Sequence, residues 1–315
     1  MSRSEGFVVA LSGGIGGAKL ALGLHRILPP GALTVVANTA DDFEHLGLAI
    51  SPDIDTLLYT LAGLDNPQLG WGRRNETWTF MKALGSLGGE TWFNLGDGDL
   101  ATHVVRTRRL AAGHSLSQIT DDFRRRLGIS ARLMPMTDDR VRTRLRTAEG
   151  WLDFQDYFVR QRCAPVVRQI AFAGADEARP QPDFLAALAE KDLRAVVICP
   201  SNPFISIDPI LSLPGVRKVL RACAAPVIAV SPIIGGQAVK GPTAKIMTEL
   251  GLPVGADAVA RYYGDFLDHY IADAADAGEV GELGVPVSFA RTLMLSLEDR
   301  EALARVVLEA AGRGF

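Results

Sequence analysis

"FVVALSGGIGGAKLALGL", residues 7–24, carries an apolar run into four glycines and a lysine before it turns amphipathic. Phe7 to Leu11 reads as a strand, Gly13, Gly14, Gly16 and Gly17 as a tight turn, and the alanine- and leucine-rich continuation as a helix. In that context the turn's N–H groups and the positive end of the helix dipole face one point, and glycine lets an anion approach the backbone. The loop therefore points to a nucleotide or diphosphate. It is not the dinucleotide fingerprint, because Lys19 stands where the third glycine belongs, and it is not a P-loop, because Ala18 precedes Lys19 and no Ser or Thr follows. Lys19, one turn into the helix, adds a cation for the same anion. The plain alternative is a turn that merely joins strand to helix.

A chain of 315 residues with 48% hydrophobic content can bury a large core. A formal charge of −3 argues against a protein that neutralises a nucleic-acid backbone. Cys163, Cys199 and Cys223 are odd in number and form no C-x-x-C, so they read as buried thiols of a reducing compartment. No stretch has signal-peptide shape or membrane-spanning length. The expectation is a soluble cytoplasmic protein with no nucleic-acid or membrane partner.

Short apolar, β-branched runs at 33–37, 91–95, 195–199 and 226–230 suit strands buried on both faces, and helical patterns fall at 54–62, 100–112, 116–127 and 182–190. Their alternation predicts an α/β fold, a Rossmann-like doubly wound, mostly parallel sheet. Residues 140–162 alternate like antiparallel strands around Glu149 and Gly150, predicting an elaboration of the sheet at about 130–172. No linker or repeat divides the chain, so residues 1–315 read as one domain. "SLEDREALARVVLEAAGR" reads as an amphipathic helix capped by Ser296.

Asp41, Asp42, Glu44, Asp53 and Asp55 crowd "ANTADDFEHLGLAISPDIDT", residues 37–56, just after the second strand. Loops at the carboxyl ends of strands line the ligand crevice of a doubly wound sheet, and a divalent cation would reconcile these acids with phosphate. Asp53 can instead cap the helix that begins at Pro52, and Asp41 and Asp42 can close a turn. Asp55, inside that helix's first turn, is the principal functional candidate. In "NLGDGDLATH", residues 94–103, Asp97 is the functional candidate, Asp99 a cap for the helix that follows, and His103 a crevice residue or a core one. Ser201 and Asn202 in "CPSNPF" suit a sugar or base, with Ser201 equally a turn residue. Gly235, Gly236, Lys240 and Gly241 form a second anion-friendly loop. Trp71, Arg73, Arg74 and Trp78 offer planes for stacking, although core packing suits Trp78 as well.

Over nearly its whole length the chain resembles the 2-phospho-L-lactate transferase family of deazaflavin coenzyme F-420 biosynthesis. "SGGIGGAKL", "NTADD", "ISPDIDTLLYTLAG", "NETW", "LGDGDLATH", "MPMTDDRVRT", "FQDYFV", "PSNPFISIDPIL" and "VSPIIGGQAVKGPTAK" follow the family's order. The resemblance implies a Rossmann-like homodimer, and the carboxylates beside the glycine loop point to Mg²⁺. It implies transfer of a phospho-lactyl, phosphoenolpyruvyl or phosphoglyceryl group from a GDP-linked donor to the ribityl hydroxyl of a deazaflavin, with release of GMP. It places the deazaflavin at Asp55 and Asn94, and the residues themselves add Trp71 and Asp97 to that side and Gly13, Gly14, Gly16, Gly17, Lys19, Asn38, Ser201 and Asn202 to the donor's phosphates and guanosine. Asp42 and Asp55 are the expected catalytic and metal residues. Distant relatives with the same glycine-loop start resemble nucleotide-sugar-binding regulators of gluconeogenesis or cell-wall metabolism, which is the alternative function.

Overall fold

The computed structural model describes residues 6–68, 70–238 and 241–312. Seven strands form one sheet: β1 (Phe7–Ser12), β2 (Leu33–Ala37), β3 (Arg132–Pro135), β4 (Leu193–Ile198), β5 (Val227–Val230), β6 (His269–Asp273) and β7 (Val287–Ala290). All pair in parallel, in the spatial order β3-β2-β1-β4-β5-β6-β7. This is a doubly wound sheet whose strand order reverses between β1 and β4.

Alternate side chains of the same strands feed two cores, as the two-residue period requires. Val9, Leu11, Val36 and Ile198 face one way, and Val8, Ala10, Val35 and Val197 the other. On the second face lie α1 (Gly14–Ile27), α2 (Pro52–Leu61) and α4 (Leu297–Gly312), which bury Leu20, Leu24, Ile54, Leu57, Leu303 and Val307. A fourth helix, α3 (Asp97–Ala111), contacts the small hairpin of Phe43–His45 and Leu48–Ile50.

Register decides where the loops meet. Ser12 pairs with Ala37 and Leu11 with Ile198, so β1, β2 and β4 end at nearly one level. The segments that follow them, from Gly13, Asn38 and Cys199, converge at the switch point.

Two sequence expectations change. The run at 91–95 is not a strand: it is irregular, with Phe93 packed edge-on to Phe43 at 4.8 Å and Trp92 on His45 at 5.0 Å. Its aromatic content resembles that of a strand, but its rings pack on the hairpin while its backbone pairs with no strand among the described residues. The alternating segment does form an antiparallel pair, Arg142–Thr147 with Gly150–Asp153, but Gln169–Ala173 joins them in a separate three-stranded sheet. The helix from Leu297 begins where expected, and the Asp299 N–H donates to the Ser296 hydroxyl at 3.2 Å.

Candidate functional site

The glycine loop is locked from two sides. The Gly13 N–H donates to the Ser201 hydroxyl oxygen at 3.2 Å, and that hydroxyl donates back to the Gly13 carbonyl at 2.7 Å. The Gly14 N–H donates to Asp53 Oδ1 at 2.7 Å. A Cβ on Gly13 would lie 2.6 Å from Asp53 Oδ2 and 2.7 Å from Ser206 Cβ; one on Gly16 would lie 2.4 Å from the Pro200 carbonyl oxygen. A Cβ on Gly17 would lie 2.4 Å from both the Ser12 and Ser201 hydroxyl oxygens. Glycine is thus required by the close passage of the β4 loop, and beyond the two N–H groups held by Ser201 and Asp53 the first turn of α1 faces the cavity. Lys19 also lines the cavity, with its ammonium on the Met294 carbonyl at 2.7 Å.

The acids of the 37–56 segment separate into three environments. Asp55, 5% exposed, directs both carboxylate oxygens at Arg106 of α3: Oδ2 accepts from Nη1 at 3.1 Å and Oδ1 from Nη2. The Arg106 guanidinium is 1% exposed and also reaches the Ala49 carbonyl at 3.3 Å. Burial works against its charge, but Asp55 outweighs burial and raises its pKa. His103 Nδ1 lies 3.3 Å from Arg106 Nη1; because a guanidinium only donates, that nitrogen presents its lone pair. His103 Nε2 sits 3.2 Å from Asp99, off the hydrogen-bond axis. Tyr59 donates to Asp99 at 2.5 Å and lies 2.9 Å from the Thr102 hydroxyl. Burial would raise Asp99, yet His103, Tyr59 and Arg106 bring it below the usual carboxylate range.

Asp42 belongs to a second environment, and here the sequence expectation is corrected. Its Oδ2 accepts from the Ser51 hydroxyl at 2.7 Å, and it is not among the residues lining the cavity. Burial pushes it up to about 7 against the pull of Arg142. Asp42 is therefore a support behind the site.

Asp41 and Asp53 make the third. Both line the cavity beside the glycine loop. Burial raises Asp41 well above the carboxylate range, with the Asp53 charge adding to it, and burial pushes Asp53 up to about 6. Asp53 does not cap α2; its oxygens hold Gly14 and the Asn38 amide, the latter at 3.0 Å. Asp41 Oδ1 is buried without a hydrogen-bond donor. Two hard carboxylates, one with an orphaned oxygen and neither in an ion pair among the described residues, fit a divalent cation. Asp55, Asp99 and His103 also bring ligand atoms within 4.8 Å of one another, but Arg106 already covers Asp55.

These groups share a cavity of about 720 Å³, within the usual range for a small-molecule site. Tyr59, Trp71, Phe93 and Phe158 supply its aromatic walls, and Asn94 lies at its exposed rim. Ser201 and Asn202 line it too; Asn202 Oδ1 accepts from the Phe204 N–H at 2.9 Å while its Nδ2 is buried and unpartnered. Asn38 is fully buried and does not reach the cavity; it braces Asp53 and the Ile205 carbonyl.

Asp97 and Asp99 exchange their expected parts. The Asp97 carboxylate accepts from the Thr77 hydroxyl at 2.6 Å and from the Thr79 and Phe80 N–H groups, capping the helix Thr79–Ser86 outside the cavity. Glu76, not Asp99, satisfies the start of α3, accepting from Gly98 at 2.7 Å and Asp99 at 2.8 Å. Sequence reasoning missed Arg106, Tyr59 and the rings of the antiparallel annex. The signal for Arg106 is its spacing: Asp99, His103 and Arg106 fall at i, i+4 and i+7, one polar stripe of α3 turned inward. Of the second glycine loop, Gly241 lines the cavity, whereas Lys240 lies outside the described residues.

No helix among the described residues is long and apolar enough to cross a membrane. The fold is shared with a crystal structure of a UPF0052 family member from Bacillus halodurans, at 15% identity and a TM-score of 0.63, covering 96% of this chain and 99% of that one. Among curated proteins, the chain is 42% identical to a "Phosphoenolpyruvate transferase" of Kitasatospora aureofaciens, covering 95% of each chain. It is 41% identical to a "2-phospho-L-lactate transferase" of Methanosarcina mazei, covering 96% of this chain and all of that one. These similarities give no support to the regulatory alternative. Residues 8–282 match the family model described as 2-phospho-L-lactate transferase CofD, and the chain belongs to that family of transferases.

Proposed function

We propose that the chain transfers a phospho-lactyl, phosphoenolpyruvyl or phosphoglyceryl group from a GDP-linked donor to the ribityl hydroxyl of a deazaflavin, releasing GMP. One observation carries this reading: a single cavity joins the glycine cradle, the Arg106-bound Asp55 and the aromatic rings of Tyr59, Trp71, Phe93 and Phe158. The diphosphate lies against the first turn of α1, past the Gly13 and Gly14 N–H groups that Ser201 and Asp53 already hold, with Lys19 beside it, and Ser201 and Asn202 take the nucleoside side. The deazaflavin ring stacks on the aromatic walls, near Asn94. Asp55 accepts the hydrogen bond of the attacking hydroxyl, and the guanidinium on its two oxygens fixes the direction of that contact.

Asp41 and Asp53 would hold Mg²⁺, which when bound would neutralise charge on the diphosphate. The chain's own part is to keep those two carboxylates against the cradle, through Asn38 and the Gly14 N–H. We read the protein as a cytoplasmic homodimer, the latter checked by light scattering.

The test offers lactyl, enolpyruvyl and glyceryl diphosphoguanosine in competition, with deazaflavin and Mg²⁺, and follows products by mass spectrometry. One adduct with equimolar GMP is expected, abolished by EDTA and restored by Mg²⁺. Failure to form any adduct would overturn the reading. Full turnover in chelator would overturn the metal requirement alone.

A further inference from the structure

A recess of about 80 Å³ opens beside the main cavity and shares Ile15, Lys19, Thr56 and Trp71 with it. Thr60 of α2 and Arg300 of α4 complete its polar wall. Arg300 is half-buried, and its Nε is closed off from solvent with no acceptor. No carboxylate among the described residues pairs with its guanidinium, whereas Arg305 on the same helix holds Glu301 at 3.1 Å. The acid in the recess, Asp65, faces Arg74 at 3.7 Å instead. A guanidinium with unmet donors in a small recess, next to a lysine and two hydroxyls, is built for one compact anion.

We propose that this recess is the subsite for the carboxylate of the donor's three-carbon acid, received by Arg300 with Lys19, Thr56 and Thr60. The inference rests on the donor reading above. Its position supports a carboxylate over the diphosphate. The recess shares Ile15 and Lys19 with the first turns of α1, and Thr56, which follows Asp55, lines both cavities, so on the donor reading it would adjoin the phosphorus to which the acid is attached. Its volume suits a carboxylate with its neighbouring carbon and is far too small for a nucleoside. A fork of N–H donors matches a carboxylate edge, which makes Arg300 a determinant of which acid is accepted.

Calorimetry on wild type, Arg300→Leu and Arg300→Lys compares lactyl diphosphoguanosine with GDP, which lacks the acid. Donor affinity is expected to fall ~10- to 100-fold in Arg300→Leu and to recover in part in Arg300→Lys, while GDP affinity stays within about twofold. Melting temperatures of the three proteins check that each is folded. An unchanged donor affinity overturns the subsite, and so does an equal loss for GDP, which would place a phosphate there. Wild-type protein that binds neither donor nor GDP overturns the donor reading, and the subsite with it.

Discussion

Asp55 and the Asp41–Asp53 pair come from one stretch of about fifteen residues, yet the fold treats their charges in opposite ways. Asp55 meets a permanent guanidinium that arrives from α3, 51 residues away, so its geometry is set before any ligand enters. Asp41 and Asp53 meet uncharged partners, the Asn38 amide, the Gly14 N–H and the Thr143 hydroxyl, and no protein cation among the described residues pairs with them. One wall of the cavity is preorganised by the chain itself; the other keeps unpaired carboxylates, which on the proposed reading Mg²⁺ would complete.

The hardest test of this contrast is Arg106→Met. It strands a buried carboxylate and should cost about 3–5 kcal/mol by thermal or denaturant unfolding. The double variant Arg106→Met, Asp55→Asn should regain most of that loss while staying inactive. A single variant as stable as wild type would show that the two walls do not differ. Asp55→Asn keeps side-chain size but loses the charge that Arg106 orients; transferase kcat should drop ~100-fold or more, equivalent to about 2.7 kcal/mol. Turnover at the wild-type rate would remove Asp55 from the reaction.

The loaded wall has a pH signature. Asp53 has its folded pKa raised from 3.8 to about 6, so the native state holds the extra proton between those values. The contribution of Asp53 to the stability of the metal-free protein should therefore fall by about 3 kcal/mol as pH rises through that window and then level off, while Asp42 and Asp41 carry the decline to higher pH. Asp53→Asn should flatten that slope relative to wild type, and an unaltered slope would mean that the carboxylate is not strained. The smallest effect is expected at Asp97, outside both walls. Asp97→Ala should lose about 1 kcal/mol of stability through the lost cap, with kcat unchanged. A large fall in kcat would return Asp97 to the site.

The sheet was legible because parallel strands buried on both faces appear as uninterrupted apolar runs, as in β1, β2, β4 and β5. The 91–95 run misled for a physical reason: Trp92 and Phe93 are half-buried against rings of the neighbouring hairpin, and aromatic packing without strand pairing has the same composition. Asp97 and Asp99 could not be told apart by sequence, since each follows a glycine at a helix start; tertiary contacts with Thr77 and Tyr59 decide between them. Arg106 hides in "VVRTRRL", where three arginines look alike and only burial singles one out. The clustering of acids beside a glycine loop was visible, but which of them meets a protein cation depends on α3, half a hundred residues downstream.

The two hydrogen bonds between Gly13 and Ser201 join positions 188 apart along the chain. A ribosome that has made only the first half of the polypeptide has thus produced the anion-binding turn and its acids without the brace that shapes them. Competence to hold nucleotide should emerge among the last steps of folding, after the slow closure of that long loop. On the proposed reading, occupancy of the cradle would then mark a finished molecule.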